Sequence, residues 1–125
     1  MVTTELIDQI VETIARQFQP RRIVLFGSRA RDQARPDSDI DLFVEMETTL
    51  SPPERAIAIN AAFGLRPWSM DVVVYTPGEV ERLRTMNGTL LSIIEREGQL
   101  LYESPTQQLR ELARQGRERS AQHRE

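Results

Sequence analysis

A fifteen-residue polar segment between two short apolar runs constrains this chain more than any other feature. The segment extends from Gly27 to Asp41 and reads GSRARDQARPDSDID. Ile23–Phe26 precedes it and Leu42–Val44 follows it. Short, β-branched-rich runs bounded by glycine are typical of buried strands. The sequence therefore predicts two strands whose connection concentrates polar side chains where the first strand ends and the second begins.

The start of this segment has the chemistry of an anion site. Gly27 can adopt backbone angles that a Cβ would forbid, and it lets a phosphate approach the main chain closely. Ser28 adds a hydroxyl at the expected N-cap of the short turn Arg29–Asp32. Free N–H groups at such a turn attract anions, so these residues are candidates for holding phosphates.

The end of the segment carries two carboxylates at strand spacing. If a strand spans Asp39–Met46, Asp39 and Asp41 project from one face, about 6.5–7 Å apart along the strand, and Ile40 points to the opposite, buried face. Neighbouring carboxylates repel each other unless a positive charge lies between them, and Mg²⁺ prefers such hard oxygen ligands. Each motif alone is usually an ordinary turn or a solvated acid. Together, in this order, they favour a phosphate and metal site.

A third carboxylate lies in the next predicted strand, Met70–Tyr75. Asp71 has apolar neighbours there, and an acid within an apolar strand is costly unless it has a partner. The alternative is a capping or surface aspartate on an edge strand.

The order of these motifs resembles that of a known family. Gly27-Ser28, ten intervening residues and Asp39-Ile40-Asp41 are similar to the GS-x10-D-x-D signature of the DNA polymerase β-like nucleotidyltransferases. The short chain and the form GSRAR…SDIDL resemble the minimal nucleotidyltransferase (MNT) branch, whose members commonly serve as antitoxins to HEPN-domain toxins. The resemblance covers about residues 20 to 102. Asp32 stands where family members often have glycine, a difference that concerns the loop and not the metal site.

The resemblance implies a mechanism with two Mg²⁺ ions and ATP as substrate. Asp39 and Asp41 would hold the metals and the triphosphate. Asp71 would complete the site of the ion that activates the acceptor hydroxyl, and it is a candidate for the base. Gly27 and Ser28 would hold the β- and γ-phosphates.

Two arginines of the polar segment are candidates for contacts with the triphosphate. A guanidinium fork suits phosphate oxygens, and the motif position favours Arg31 over Arg29. Solvation of either side chain is the alternative, and for Arg31 the two interpretations are equally open.

Three functions follow from the resemblance and the chain length. The first is transfer of AMP from ATP to a protein hydroxyl, a tyrosine of a HEPN ribonuclease toxin, by an antitoxin. The second is an antitoxin that neutralises by binding alone, with a vestigial site. The third is a nucleotidyltransferase for a small molecule such as an aminoglycoside, although 125 residues leave little chain for binding that acceptor. The complete set of motif residues favours an active enzyme.

Composition excludes several other classes. The chain has no cysteine, which excludes disulfides and thiolate metal sites. All 16 basic residues are arginine, which excludes a P-loop lysine. The net charge of −3 argues against direct nucleic-acid binding, because the phosphate backbone is also negatively charged. No apolar run approaches membrane length and no signal-peptide pattern is evident, so we expect no membrane association and a cytoplasmic location.

The remaining elements indicate one small α/β (α+β) domain with a mixed sheet of about four strands. An amphipathic first helix has Thr4 as its expected N-cap and ends before Pro20. A small-residue helix that includes Ile57 precedes the third strand, and further helices lead to a last short strand. We expect residues 1–103 to form the nucleotidyltransferase domain. Residues 104–125 are a charged tail or helix, either solvated, partly disordered or partner-binding, and His123 within them is no credible ligand.

Overall fold

The computed structural model describes residues 2–35 and 38–122. Five helices and four strands lie within these ranges. In chain order they are α1 (Thr4–Phe18), β1 (Arg22–Phe26), β2 (Ile40–Glu45), α2 (Pro52–Ala61), β3 (Met70–Tyr75), α3 (Pro77–Leu83), α4 (Leu90–Glu97), β4 (Gln99–Glu103) and α5 (Pro105–Gln122). Pro36 and Asp37, which belong to the polar segment Gly27–Asp41, lie outside the described residues, as does His123.

The four strands form one mixed sheet in the order β3-β2-β1-β4. Strand β1 is antiparallel to both of its neighbours, β2 and β4, whereas β2 and β3 are parallel. A parallel pair needs a crossover connection, which α2 provides here. The predicted α/β class with a four-stranded mixed sheet is confirmed.

Helices cover both faces of the sheet. Side chains that alternate along the strands therefore enter two separate cores. On one face, Leu25 and Leu42 pack in a core with Ile10 and Ile14 of α1 and Ile59 of α2. On the other face, a second core contains one residue from each of β1 and β2 and three from α3 and α4: Val24, Phe43, Val80, Leu91 and Ile94. Burial on both faces explains why the strands read as nearly continuous apolar runs.

The first two helices both begin after a hydroxyl residue, but the two hydroxyls have different partners. Helix α1 is capped by Thr3, whose hydroxyl accepts a hydrogen bond from the Leu6 amide at 3.1 Å. The predicted cap at Thr4 is therefore wrong by one residue, because Thr4 already belongs to the first helical turn. Ser51 is the N-cap of α2, but its hydroxyl donates to the Glu54 carboxylate at 2.8 Å instead of binding a main-chain amide.

The C-terminal segment is helical as far as the structure describes it. Ser104 lies directly before α5: its hydroxyl accepts from the Gln107 amide at 3.1 Å, and its own amide donates to the Arg21 carbonyl at 2.8 Å. Two leucines farther along the helix, Leu109 and Leu112, are 68% and 63% exposed. The domain boundary at residue 103 and a partner-binding role for this segment remain predictions. None of the helices in residues 2–35 and 38–122 is both long and apolar enough to span a bilayer.

Candidate active site

The residues singled out by the sequence lie at one end of the sheet. Because β1 is antiparallel to β2 and β3 is parallel to β2, the C-terminal end of β1 lies beside the N-terminal ends of β2 and β3. The Ile40 amide donates to the Ser69 carbonyl at 2.9 Å, which joins the entrances of β2 and β3. This arrangement brings the end of the first apolar run, the Asp39–Asp41 pair and Asp71 to the same edge.

Gly27 makes room for the carboxylate of Asp41. Its φ of +75° lies in the left-handed region, where a side chain is strained. Strand residue Phe26 is the register partner of Asp41, and a Cβ added to Gly27 would clash with Oδ2 of Asp41. Glycine is therefore required here for two reasons: the backbone conformation and the Asp41 carboxylate packed against it.

A tight turn follows Gly27 in place of a regular helix. The Arg31 amide donates to the Gly27 carbonyl at 3.3 Å, and the Gln33 amide donates to the Ser28 carbonyl at 2.9 Å. Asp32 adopts a φ of +57°. The turn thus uses the left-handed conformation that glycine would adopt more easily. Phosphate binding by Gly27 and Ser28 remains a prediction.

Asp41 lies inside β2, and Asp39 lies just before it. Strand β2 begins at Ile40, one residue later than predicted, and Asp39 is exposed at its entrance. Ile40 and Leu42 are fully buried on the opposite face, as the alternation requires. Asp41 is only partly exposed, and it lies on the same face as Phe43 of the second core.

The parallel register places Asp71 directly beside Asp41. Residues paired in this way point to the same face of a sheet, so the two carboxylates are neighbours. Strand β3 is an edge strand, and Asp71 is exposed. Asp71 is therefore not a buried acid that needs a partner, contrary to the sequence argument from its apolar neighbours. The pairing with Asp41 is what connects Asp71 to the site.

The three carboxylates are electrostatically coupled. Burial raises the pKa of Asp41, and the negative charges of Asp71 and Asp39 raise it further. Arg29 and Arg31 act in the opposite direction. A cation at this edge would relieve the repulsion among the three acids.

This edge suits Mg²⁺ by its chemistry, although it is not a closed cage. The described part of the chain contains no group of three or more His, Cys, Asp or Glu side chains that could by itself hold a metal ion. Mg²⁺, however, usually binds through one or two carboxylates and completes its shell with substrate phosphates and waters. Asp39, Asp41 and Asp71 are the residues that could hold such an ion, and this assignment remains a prediction.

The two arginines of the turn have different contacts. Arg31 is exposed; its Nε donates to the Gln33 side chain at 3.3 Å, and its Nη1 lies 3.7 Å from Oε2 of Glu97 on α4. Arg29 reaches the main chain ahead of β2, where its Nη2 donates to the Ser38 carbonyl at 2.6 Å. Sequence reasoning missed both contacts. Glu97 lies outside the polar segment, and Ser38 takes part through its main-chain carbonyl, which no side-chain pattern indicates.

Comparison with known proteins identifies the family. The family model described as a nucleotidyltransferase domain matches residues 7–122. The chain belongs to this nucleotidyltransferase family. The matched range includes the glycine-serine turn, all three carboxylates and α5 as far as it is described. No curated protein sequence matches the chain.

Solved structures show the same nucleotidyltransferase fold. A proposed nucleotidyltransferase from Sulfolobus solfataricus is 24% identical with a TM-score of 0.56, covering 79% of this chain and 78% of that one. A toxin–antitoxin with AMP-PNP is 21% identical with a TM-score of 0.52, covering 92% of this chain and 89% of that one. A mutant of the toxin–antitoxin MntA-HpeT has the same identity and TM-score, and it covers 92% and 88%.

Proposed function

We propose that this nucleotidyltransferase moves AMP from ATP, with Mg²⁺, to a tyrosine hydroxyl of a HEPN-type toxin, and so acts as an antitoxin. The observation that carries the proposal is the parallel register of Asp41 with Asp71, beside the Gly27 turn. It gathers oxygen ligands next to a turn suited to phosphate, which is the combination that nucleotidyl transfer needs.

The site residues have separate tasks in this proposal. Bound Mg²⁺ would neutralise charge on the triphosphate and lower the pKa of the acceptor hydroxyl. Asp39 and Asp41 would hold the metal, which would supply positive charge beside the triphosphate, and the Gly27-Ser28 turn receives the β- and γ-phosphates. Asp71 would be a further ligand of the metal, and it takes the hydroxyl proton.

The transfer is a single displacement at the α-phosphorus. A bond forms between the tyrosine oxygen and the α-phosphorus, and the bond from that phosphorus to the oxygen bridging to the β-phosphate breaks. The bonding electrons leave with pyrophosphate, and the tyrosine proton passes to Asp71. No covalent enzyme intermediate is needed, which is consistent with the lack of cysteine in the chain.

The choice of a toxin as acceptor rests on the resemblance of the motif to the MNT branch. Two solved structures with this fold come from toxin–antitoxin systems, and one of them has AMP-PNP. The partly exposed Asp41 and the exposed Asp71 lie at an open edge of the sheet, where a side chain of another protein can approach.

Co-expression with the toxin tests this proposal. Cells that carry a HEPN toxin and the wild-type chain should survive, and the toxin should gain the mass of AMP on a tyrosine. The Asp39→Asn/Asp41→Asn double variant should bind ATP poorly, leave the toxin unmodified and fail to protect.

The same experiment separates the competing functions. If the double variant protects as well as the wild type and adds no mass, protection depends on contact alone and the enzymatic role is refuted. If the purified wild-type chain modifies an aminoglycoside but no toxin, the protein acceptor is refuted.

The ion pair between Arg31 and Glu97 gives a prediction about ATP binding. Because both side chains are partly solvated, the pair is worth at most about 1 kcal/mol. Glu97→Gln should free Arg31 for the triphosphate and lower the KM for ATP about two- to fivefold, with kcat unchanged. Arg31→Gln should raise this KM, and adding Glu97→Gln to that variant should then have no effect. A KM that falls equally in both backgrounds would show that Glu97 acts without Arg31.

A further inference from the structure

Two local hydrogen bonds join Arg35 to Ser38 ahead of β2. The Arg35 amide donates to the Ser38 hydroxyl at 2.8 Å, and the Ser38 amide donates back to the Arg35 carbonyl at 3.0 Å. These reciprocal bonds leave the carbonyl of Ser38 as the last main-chain acceptor before Asp39.

Arg29 binds that carbonyl with two nitrogens. Its Nη2 and Nε donate to the Ser38 oxygen at 2.6 and 3.2 Å, and Nη2 also lies 3.5 Å from the Arg35 carbonyl. Donation from a guanidinium to a carbonyl is charge-assisted and stronger than a neutral hydrogen bond. The contact links the turn after β1 to the peptide group that joins Ser38 to Asp39.

Asp39 is consequently anchored on both sides through the main chain. On one side Arg29 holds the Ser38 carbonyl, and on the other the Ile40 amide is bound to the Ser69 carbonyl at 2.9 Å. Asp39 itself is exposed, so packing of its own side chain does little to orient it. The two main-chain anchors fix the backbone from which its carboxylate projects.

We infer that Arg29 is a positioning residue, which orients the carboxylate of Asp39 by holding the Ser38 carbonyl, and is not a contact for the triphosphate. The inference rests on the proposed function only in treating Asp39 as a metal ligand. A lysine at this position would retain the charge but could not present two nitrogens of a rigid fork to one oxygen. The lysine variant therefore separates geometry from charge.

Hydrogen exchange tests the anchor without any metal or substrate. In Arg29→Lys and Arg29→Gln, amides in a peptide spanning residues 33–40 should exchange at least about tenfold faster than in the wild-type chain. Peptides from β1 should keep their wild-type rates, because the core of the sheet is not altered. Unchanged exchange at residues 33–40 in both variants overturns the inference. Faster exchange throughout the sheet also overturns it, because Arg29 would then contribute to global stability only.

Metal binding tests the consequence for Asp39. Calorimetric titration with Mn²⁺ in the absence of nucleotide should show affinity about tenfold weaker in both variants, since residues that orient metal ligands typically change affinity by that order. Near-wild-type affinity in Arg29→Lys with a loss in Arg29→Gln would mean that Arg29 acts by charge. Unchanged Mn²⁺ affinity with a raised KM for ATP would mean that it contacts phosphate. Either result overturns the inference.

Arg35→Gln is the matched control. It removes a positive charge from the same connection, but the exposed side chain of Arg35 makes none of the bonds described above. Its exchange rates and Mn²⁺ affinity should remain within about twofold of the wild type. If the wild-type chain transfers no AMP to any acceptor while both Arg29 variants lose protection at residues 33–40, the proposed function fails and the positioning role stands.

Discussion

Replacing Asp39 or Asp41 with asparagine is expected to abolish AMP transfer, lowering kcat/KM by a factor on the order of a thousand. Asparagine has nearly the same shape as aspartate but lacks the charge that holds a divalent cation. The measurement is transfer of radiolabel from α-labelled ATP to the acceptor with Mg²⁺ present. Full activity in either variant would refute the metal-site assignment.

The Asp41 variant should also be more stable than the wild type when metal is absent. Burial and the charges of Asp71 and Asp39 raise the pKa of Asp41 in the folded chain. A group with a raised folded pKa loses its stabilising contribution as the pH rises through that value, so near neutral pH the ionised Asp41 destabilises the fold. Asp41→Asn should therefore raise the thermal unfolding midpoint in EDTA at neutral pH, and the difference should shrink as the pH falls toward 3.8, the ordinary pKa of an aspartate side chain.

Mg²⁺ and ATP should reverse the order of stability. A ligand that binds only the folded state stabilises it in proportion to its affinity. The wild type should gain stability on their addition, whereas Asp41→Asn should gain little. A variant that is less stable in EDTA would show that the carboxylate makes favourable contacts that outweigh the repulsion.

Gly27→Ala should remove activity and lower stability together. The new Cβ would clash with Oδ2 of Asp41 and would sit on a backbone with φ of +75°. The backbone strain alone is about 1–2 kcal/mol, and displacement of the Asp41 carboxylate should lower kcat/KM by about a hundredfold or more. Thermal unfolding and AMP transfer measured on the same preparation report the two effects.

Gly88→Ala separates strain from the displaced carboxylate. Gly88 has a φ of +76°, almost the same as Gly27, but a Cβ added there meets nothing within 4 Å. It should lose about the same 1–2 kcal/mol from strain and retain normal transfer. Equal activity in the two alanine variants would show that the contact between Gly27 and Asp41 does not matter for catalysis.

The sequence predicts the sheet well because its strands are buried on both faces. Met70–Tyr75 is predicted with the bounds that β3 has, and the edge that carries the motif follows from the strands on either side of it. Continuous apolar runs closed by glycine or a turn leave few other interpretations. The exact cap residue is harder to predict, because Thr3 and Thr4 are chemically alike and the local sequence does not distinguish between them.

Contacts between distant residues are what the sequence does not reveal. Helical spacing suggests that Ile57 packs inward, yet it is 67% exposed, while Arg55 of the same helix is buried. Arg55 donates to the carbonyls of Leu50 and Val74 and to the Glu79 carboxylate. These acceptors come from other elements, so no periodicity within α2 points to them. The contact of Arg29 with Ser38 is of the same kind, because a charged side chain donates to a main-chain carbonyl.

Because β2 and β3 are paired residue for residue, the face of the sheet on which Asp71 lies depends on the register of the two strands. Moving β3 by a single residue would turn Asp71 to the opposite face and bring Met70 or Val72 to the site, because side chains alternate along a strand. Those two residues are buried in the core, so such a slip would expose apolar groups and bury an acid. An insertion or deletion between α2 and β3 is therefore tolerated only if the loop accommodates it and the register of β3 is unchanged. Hydrophobic packing on one face of the sheet thereby keeps Asp71 beside Asp41 on the other.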